Sequence, residues 1–434
     1  MTRKGKLTIT DSMPATGQIA DAIAFERSIL PNGLRVITER IPFVRSVSVG
    51  AWIYVGSRDE KPDEAGISHF IEHMVFKGTE RRKTHHVAQW MESVGGFLNA
   101  FTGKEYTCFY ARGLDEHLDR GVDIVTDLVL HPSFPQKELQ KEKDVVLEEM
   151  KMYEDSPEDL IFDRLESVVY GRHPLGRPVI GNADSVASFS RSDLVRFMSR
   201  QYSPDRMVIA IAGNVTHEAA VAAVARALGS WDRVPERRRR SKPRSYRPKQ
   251  VVETNTSQQA HLVVGTRALS AHDPERISMI VLNTLLGGGM SSRLNQRIRE
   301  HYGFCYQIYS FLNMFTDSGD FGVYTATDPA RIDKSRSLIR RELDRVTQSK
   351  IGPRELAQAK SQVKGSIMLG LESMSNRMMR IGRQELLYNR YYTLDEVLEY
   401  TDAVTAESVL DTAQKVIGGA EFSEVVLVPS ESSE

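Results

Sequence analysis

Two kinds of apolar pattern alternate along this chain, and both occur twice. Ser46-Val47-Ser48-Val49-Gly50-Ala51-Trp52-Ile53-Tyr54 is an apolar strand followed by a polar loop and a helix; His261-Leu262-Val263-Val264-Gly265-Thr266-Arg267 is the same, followed by a helix around Ile277 to Leu286. Glu138-Leu139-Gln140-Lys141-Glu142-Lys143 parallels Glu355-Leu356-Ala357-Gln358-Ala359-Lys360, both with helical spacing. Each half then closes on a segment that reads as a buried strand, Met207–Ala212 and Glu424–Val428. Strands mixed with long helices in this way predict an α+β architecture: two homologous domains, each an antiparallel-rich sheet covered by helices.

The boundary between the copies follows Leu228-Gly229-Ser230-Trp231. Proline and like charges crowd residues 233–249, among them Arg233, Arg237, Arg238, Arg239, Arg240, Lys242, Arg244, Arg247 and Lys249. That composition predicts an extended, self-repelling linker. Tyr246 is the one aromatic there, which argues against a nucleic-acid arm. The organisation read from sequence is a loose tail over 1–24, a first domain over 25–232, the basic linker over 233–249 and a second domain over 250–434.

The first copy carries the chemistry. Upstream of one helix lies the polar stretch Ser57–Glu64; Ala65, Ile67, Phe70, Ile71, Met74, Val75 and Phe76 supply its apolar face, and Lys77-Gly78-Thr79 ends it. On that helix stands His69-Phe70-Ile71-Glu72-His73. Histidines at i and i+4 share a face and can converge on one zinc ion, with Glu72 placed to act on its water. The pattern is the inverted form of H-E-x-x-H. A third ligand is expected downstream, and Glu138–Met150 is the best candidate segment, because Glu142 and Glu149 lie two turns apart on one helix face whereas Glu148 points elsewhere.

Composition narrows the picture. Lys+Arg and Asp+Glu both number 57, so no overall field demands nucleic acid or a membrane surface. Two cysteines, Cys108 and Cys305, make no disulfide framework. No window approaches the ~18 apolar residues of a membrane span, and the first residues lack the apolar core of a secretory signal, so the sequence reads as cytoplasmic.

His69-Phe70-Ile71-Glu72-His73-Met74-Val75-Phe76-Lys77-Gly78-Thr79, Asn99-Ala100-Phe101-Thr102 and Asp144-Val145-Val146-Leu147-Glu148-Glu149-Met150 together resemble the pitrilysin/insulysin-type zinc peptidases, in their bacterial, mitochondrial-processing-peptidase-like branch. The likeness runs from about Phe25 to the end. It implies a zinc metalloendopeptidase with one Zn2+ per chain, held by His69, His73 and Glu149, with Glu72 as base and Glu142 as supporting carboxylate. It further implies that Asn99 and Ala100 lie on an edge strand to which extended peptide substrates add, and that Arg299 and Tyr306 bind substrate and the tetrahedral intermediate. The expected assembly is a homodimer sharing its active sites. The alternative is a non-catalytic or substrate-recognising subunit of a processing-peptidase-like assembly.

The second copy has no counterpart of these ligands. With the two Glu-Leu pairs superposed, Glu142 falls opposite Ala359 and Glu149 opposite Ser366, while matched helix ends set His69, Glu72 and His73 against Met279, Leu282 and Asn283. Gly287-Gly288-Gly289 opens a helix but lacks the Lys-Ser/Thr of a phosphate-cradling loop.

Overall fold

The two closing strand segments become inner strands of two separate sheets, as strands buried on both faces must. In a computed structural model that describes residues 24–234, 239–244 and 246–430, the first sheet is built from β1 (Ala24–Ile29), β2 (Arg35–Arg40), β3 (Ser46–Ile53), β4 (Phe97–Thr102), β5 (Thr107–Leu114) and β6 (Met207–Gly213), in the order β1-β2-β6-β3-β5-β4. The second contains β7 (Gln250–Asn255), β8 (Ala260–Ala268), β9 (Cys305–Met314), β10 (Gly319–Thr327) and β11 (Ser423–Pro429), in the order β7-β11-β8-β10-β9. With β1 set aside, the orders are the same. Each sheet also holds one parallel pairing, β2 with β6 and β7 with β11, in an otherwise antiparallel ladder. The α+β reading of two like halves is borne out.

The helices are α1 (Ile67–Val75), α2 (Thr84–Glu92), α3 (Leu118–Leu130), α4 (Gln136–Asp155), α5 (Pro157–Tyr170), α6 (Ala183–Ser188), α7 (Arg191–Gln201) and α8 (His217–Leu228) before the linker. After it come α9 (Arg276–Gly287), α10 (Ile332–Gln348), α11 (Pro353–Gly370), α12 (Met374–Tyr388), α13 (Leu394–Ala403) and α14 (Ala406–Val416). None is long and apolar enough to cross a membrane among the described residues.

One helix of each half crosses over. Ile161, Leu165 and Val169 of α5 share a core with Val263, Tyr324, Val425 and Leu427 of the second sheet. Met378, Ile381 and Leu386 of α12 share one with Trp52, Val208 and Ala210 of the first. A glycine in each receiving strand admits the visitor: a Cβ on Gly50 would lie 2.3 Å from Met378 Sδ, and one on Gly265 would lie 2.8 Å from Leu165 Cδ2. Each half therefore completes the other's core, and cutting at residue 232 separates both helices from the sheets they cover.

The linker departs from its expected solvated course. Residues 235–238 and 245 lie outside the described residues, as do residues 1–23 of the tail expected over 1–24, whereas Ala24 opens β1. Arg239, Arg244 and Arg247 are exposed, but Arg240 turns inward to Asp59.

Candidate metal centre

Helix α1 begins where Gly66 adopts φ 90°, a left-handed conformation that favours glycine; a Cβ there would also meet Ile180 O at 2.4 Å. The Glu60 carboxylate accepts from the backbone N–H of Gly66 (2.8 Å) and Ser68 (2.9 Å), satisfying donors that the first turn leaves open. Ile67, Phe70, Ile71, Met74 and Val75 face the core and fix the helix's rotation. His69, Glu72 and His73 consequently stand half-buried on the opposite side.

Helix α4 packs beside α1 through Leu139, Val146 and Met150, which aims Glu142 and Glu149 at the histidines. Glu149 Oε2 lies 3.4 Å from His73 Nε2, and its Oε1 lies 3.8 Å from His69 Nε2. The imidazole centroids are 4.6 Å apart. Among the described residues, His69, His73 and Glu149 are the one group of three or more His, Cys, Asp or Glu side chains placed to share an ion, with ligand atoms all within 4.8 Å of one another. Zinc bonds of about 2.0–2.1 Å in a tetrahedron set donors roughly 3.3 Å apart, so this donor set fits that ion with small rotamer adjustments.

Around these three, other side chains fix orientation. Glu142 Oε1 accepts from His73 Nδ1 at 2.9 Å, which leaves Nε2 as the ring nitrogen turned toward Glu149, and Lys77 Nζ binds Glu142 Oε2 at 2.7 Å. The Thr102 hydroxyl donates to Glu72 Oε2 at 2.6 Å. Glu148 points to solvent and pairs with Lys151.

The electrostatics follow from burial and these partners. Burial, then the neighbouring His73, lowers the His69 pKa to about 4, so its imidazole is neutral at pH 7. Burial raises Glu72, with Thr102 and His73 opposing and Glu149 adding to the rise. For His73, burial opposes the charged form, but the bond to Glu142 and the charges of Glu149, Glu142 and Glu72 outweigh it and raise the pKa. For Glu142, burial is outweighed by the bonds to His73 and Lys77, which lower it. A cleft of about 470 Å³ exposes His69, Glu72, His73 and Glu149 beside Phe101 and Thr102.

The other sequence candidates are placed as follows. β4 is the free edge of its sheet; Asn99 is exposed on it with Oδ1 accepting from Ala100 N–H at 2.8 Å, and Ala100 is buried. Arg299 lies in a short π-helical turn, Asn295–Glu300, and Tyr306 near the start of β9, 79% exposed, with the guanidinium 5.7 Å from its ring. Among the described residues, no hydrogen bond, ion pair or ring contact joins either to His69, Glu72, His73 or Glu149 of the same chain. In the second half Met279, Leu282 and Ala359 are buried in the apolar core where α9 meets α11.

Glu60, Lys77 and Thr102 were not among the sequence's site candidates. In the sequence Lys77 reads as part of a helix stop, and Thr102 follows Asn99-Ala100-Phe101 with no chemistry assigned to it. Their contacts become visible when α1, α4 and β4 are brought together.

Residues 35–183 match the family described as Insulinase (Peptidase family M16), and residues 188–363 match the Peptidase M16 inactive domain. A Bacillus subtilis protein described as an uncharacterized zinc protease is 40% identical over 391 residues, covering 90% of this chain and 95% of that protein. One from Mycobacterium leprae, described in the same words, is 43% identical over 397 residues, covering 90% and 89%. The fold matches the crystal structure of a protease from Helicobacter pylori with a TM-score of 0.87 at 21% identity, covering 94% of this chain and all of that one (100%). With its sequence relatives spanning nine-tenths of its length, this chain belongs to peptidase family M16.

Proposed function

We propose that this protein is a zinc-dependent endopeptidase that hydrolyses extended peptides or unfolded segments. The observation that carries the reading is the convergence of His69, His73 and Glu149 on one point, with the carboxylate of Glu72 in the same cleft. His69, His73 and Glu149 would hold the ion, one per chain. A zinc ion in such a site supplies a water of lowered pKa and polarises the substrate carbonyl.

The chain's own groups do the rest. Glu72 takes the proton from the attacking water and passes it to the leaving amine. Thr102 occupies Oε2 of Glu72, leaving Oε1 for this exchange. Glu142 keeps His73 in the tautomer that a metal requires. The open edge of β4 pairs with an extended substrate through main-chain hydrogen bonds, with Ala100 small enough for close approach and Asn99 reaching a carbonyl near the scissile bond. Arg299 and Tyr306 stabilise the oxyanion. In this reading they come from the second chain of a homodimer, since among the described residues of one chain they make no hydrogen bond, ion pair or ring contact with the site.

Glu72→Gln tests the assignment. It should keep zinc while cleavage of a peptide library falls by orders of magnitude, and removing zinc with a chelator should silence the unaltered enzyme. Retained turnover in zinc-loaded Glu72→Gln would overturn the reading. Mixing Glu72→Gln with Arg299→Ala chains should restore partial activity; no recovery after demonstrated subunit exchange would refute the shared site.

A further inference from the structure

Two loops reach the metal centre from outside. Residues 56–66 lead into α1, and residues 103–106 follow β4. They are zipped together by Ser57 N–H to Gly103 O (3.2 Å) and Arg58 N–H to Lys104 O (2.8 Å). Each ends on the site: Glu60 caps the first turn of α1, and Thr102, just before the second loop, holds Glu72.

Both loops are gripped by parts of the chain that carry no ligand. Arg58 Nη1 binds Glu105 Oε1 at 2.6 Å; its Nη2 binds Asp317 of the β9–β10 turn at 2.6 Å and Ser241 O of the linker at 2.7 Å. Glu105 also accepts from Thr316 of that turn, through its N–H (2.8 Å) and its hydroxyl (2.6 Å). From the linker, Arg240 forks onto Asp59 at 2.9 and 2.7 Å, donates to Glu105 O at 2.6 Å and stacks 3.9 Å over the Tyr54 ring. The Arg58 and Glu105 side chains are 1% and 3% exposed.

Burying two guanidinium groups and two carboxylates, with Asp317 at the partly exposed end, is a poor way to gain stability, because desolvation offsets most of the attraction. Its benefit is geometric. A forked arginine accepts its partners in one arrangement only, so the network sets where the two loops stand relative to the second half.

We propose that Arg240 and Glu105 are positioning residues of a buried ionic latch, through which the linker and the metal-free half hold α1 and the Thr102–Glu72 contact in register. This rests on reading Glu72 as the base. It gives the basic linker a role that charge counting misses, and it makes the second half a brace for the metal helix as well as a substrate surface.

The test uses the zinc-loaded full chain well below its thermal midpoint. Arg240→Ala should lower kcat by about tenfold or more per zinc-loaded chain, with KM within about twofold, because a base displaced by a fraction of an ångström loses turnover more than affinity. Arg240→Lys, which keeps the charge but not the fork, should recover part of the loss. Combined with Thr102→Val, Arg240→Ala should cost less than the product of the two separate effects, since both act on one contact. Should Arg240→Ala fail to fold, Asp317→Asn weakens the same latch from its partly exposed end and is read in the same way.

A lowered midpoint with unchanged kcat per zinc-loaded chain would make the network purely structural and overturn the proposal, as would fully multiplicative effects. Glu72→Gln, run in parallel, separates the two readings. If it keeps turnover, the base assignment falls and the latch's catalytic role with it; if it is inactive while Arg240→Ala runs at the unaltered rate, the latch alone falls.

Discussion

Glu142→Gln is the sharpest probe of how the metal centre is held together. The native carboxylate makes two charge-assisted contacts, with His73 Nδ1 at 2.9 Å and Lys77 Nζ at 2.7 Å, from a side chain 5% exposed. Glutamine fits the space but presents one acceptor and one donor. Its carbonyl can still accept from Nδ1–H, keeping the tautomer, while its amide then faces Lys77, a second donor that must swing to solvent. Hydrogen bonds to charged groups contribute ~1.5–3 kcal/mol and neutral ones ~0.5–1.5 kcal/mol, so weakening the His73 contact removes about 1–1.5 kcal/mol of support for a metal-binding imidazole. The Lys77 pair is 27% exposed on its lysine side and partly screened, so its loss adds less. Together these predict zinc affinity lowered roughly tenfold, within the range of about 10–100-fold for groups that orient metal-binding histidines. Competition against a chromophoric chelator at neutral pH measures it directly. Glu148→Gln, on the neighbouring but exposed carboxylate, should leave affinity unchanged. Zinc affinity within about twofold of the unaltered protein for Glu142→Gln would refute the reasoning.

Thr102→Val removes the 2.6 Å bond to Glu72 while nearly conserving shape, and steady-state assays should find kcat reduced about tenfold or more, with Thr102→Ser restoring most of it. Gly382→Ala should destabilise the protein by about 1–2 kcal/mol in chemical denaturation although alanine favours helix by ~1 kcal/mol, because its Cβ would meet the buried indole Nε1 of Trp52 at 2.2 Å; a raised midpoint would disprove the tight packing of α12 on the first sheet. The half-buried Glu166 and the buried Asp320, between the halves, are both raised chiefly by desolvation, Glu166 to about 7 despite Lys104. Carboxyls raised in the folded state add stability that is complete below their ordinary value and lost as pH rises through the folded one. Thermal midpoints should therefore drift down from about pH 5 to 8, and Glu166→Gln should flatten that drift; an equally steep profile in the variant would show that other groups cause it.

What could be read from the sequence was whatever local periodicity encodes. The histidines and Glu72 sit on one helix, so their common face follows from spacing alone, and Glu142 and Glu149 share a second helix for the same reason. The inner strands announced themselves because nothing polar interrupts Met207–Ala212. The crossover of α5 and α12 was not legible: an amphipathic helix carries the same stripe whichever sheet receives it. Thr102 and Lys77 were hidden for a related reason, since each acts through a partner 30 or more positions away, or 65 in the case of Lys77 and Glu142.

Arg240 shows where composition misleads. In a run of arginines, mutual repulsion and solvation were the natural expectation, and its exposed neighbours obey it. Asp59, 181 positions earlier, together with Glu105 O supplies an acceptor arrangement that only the folded chain creates. The second half presents the same lesson from the other side. Where the first half has His69, Glu72 and Glu142, the positions matched by sequence hold Met279, Leu282 and Ala359, which belong to the apolar core, while those matched to His73 and Glu149 hold Asn283 and Ser366, polar but, among the described residues, not grouped with any ligand. A half without these side chains could have presented any surface chemistry. Instead its β9–β10 turn reaches back, through Thr316 and Asp317, to the loops that carry the first half's helix and edge strand. A shared strand order with different side chains at the matched positions is what a supporting half requires, because the latch depends on where that turn lies and not on what those positions contain.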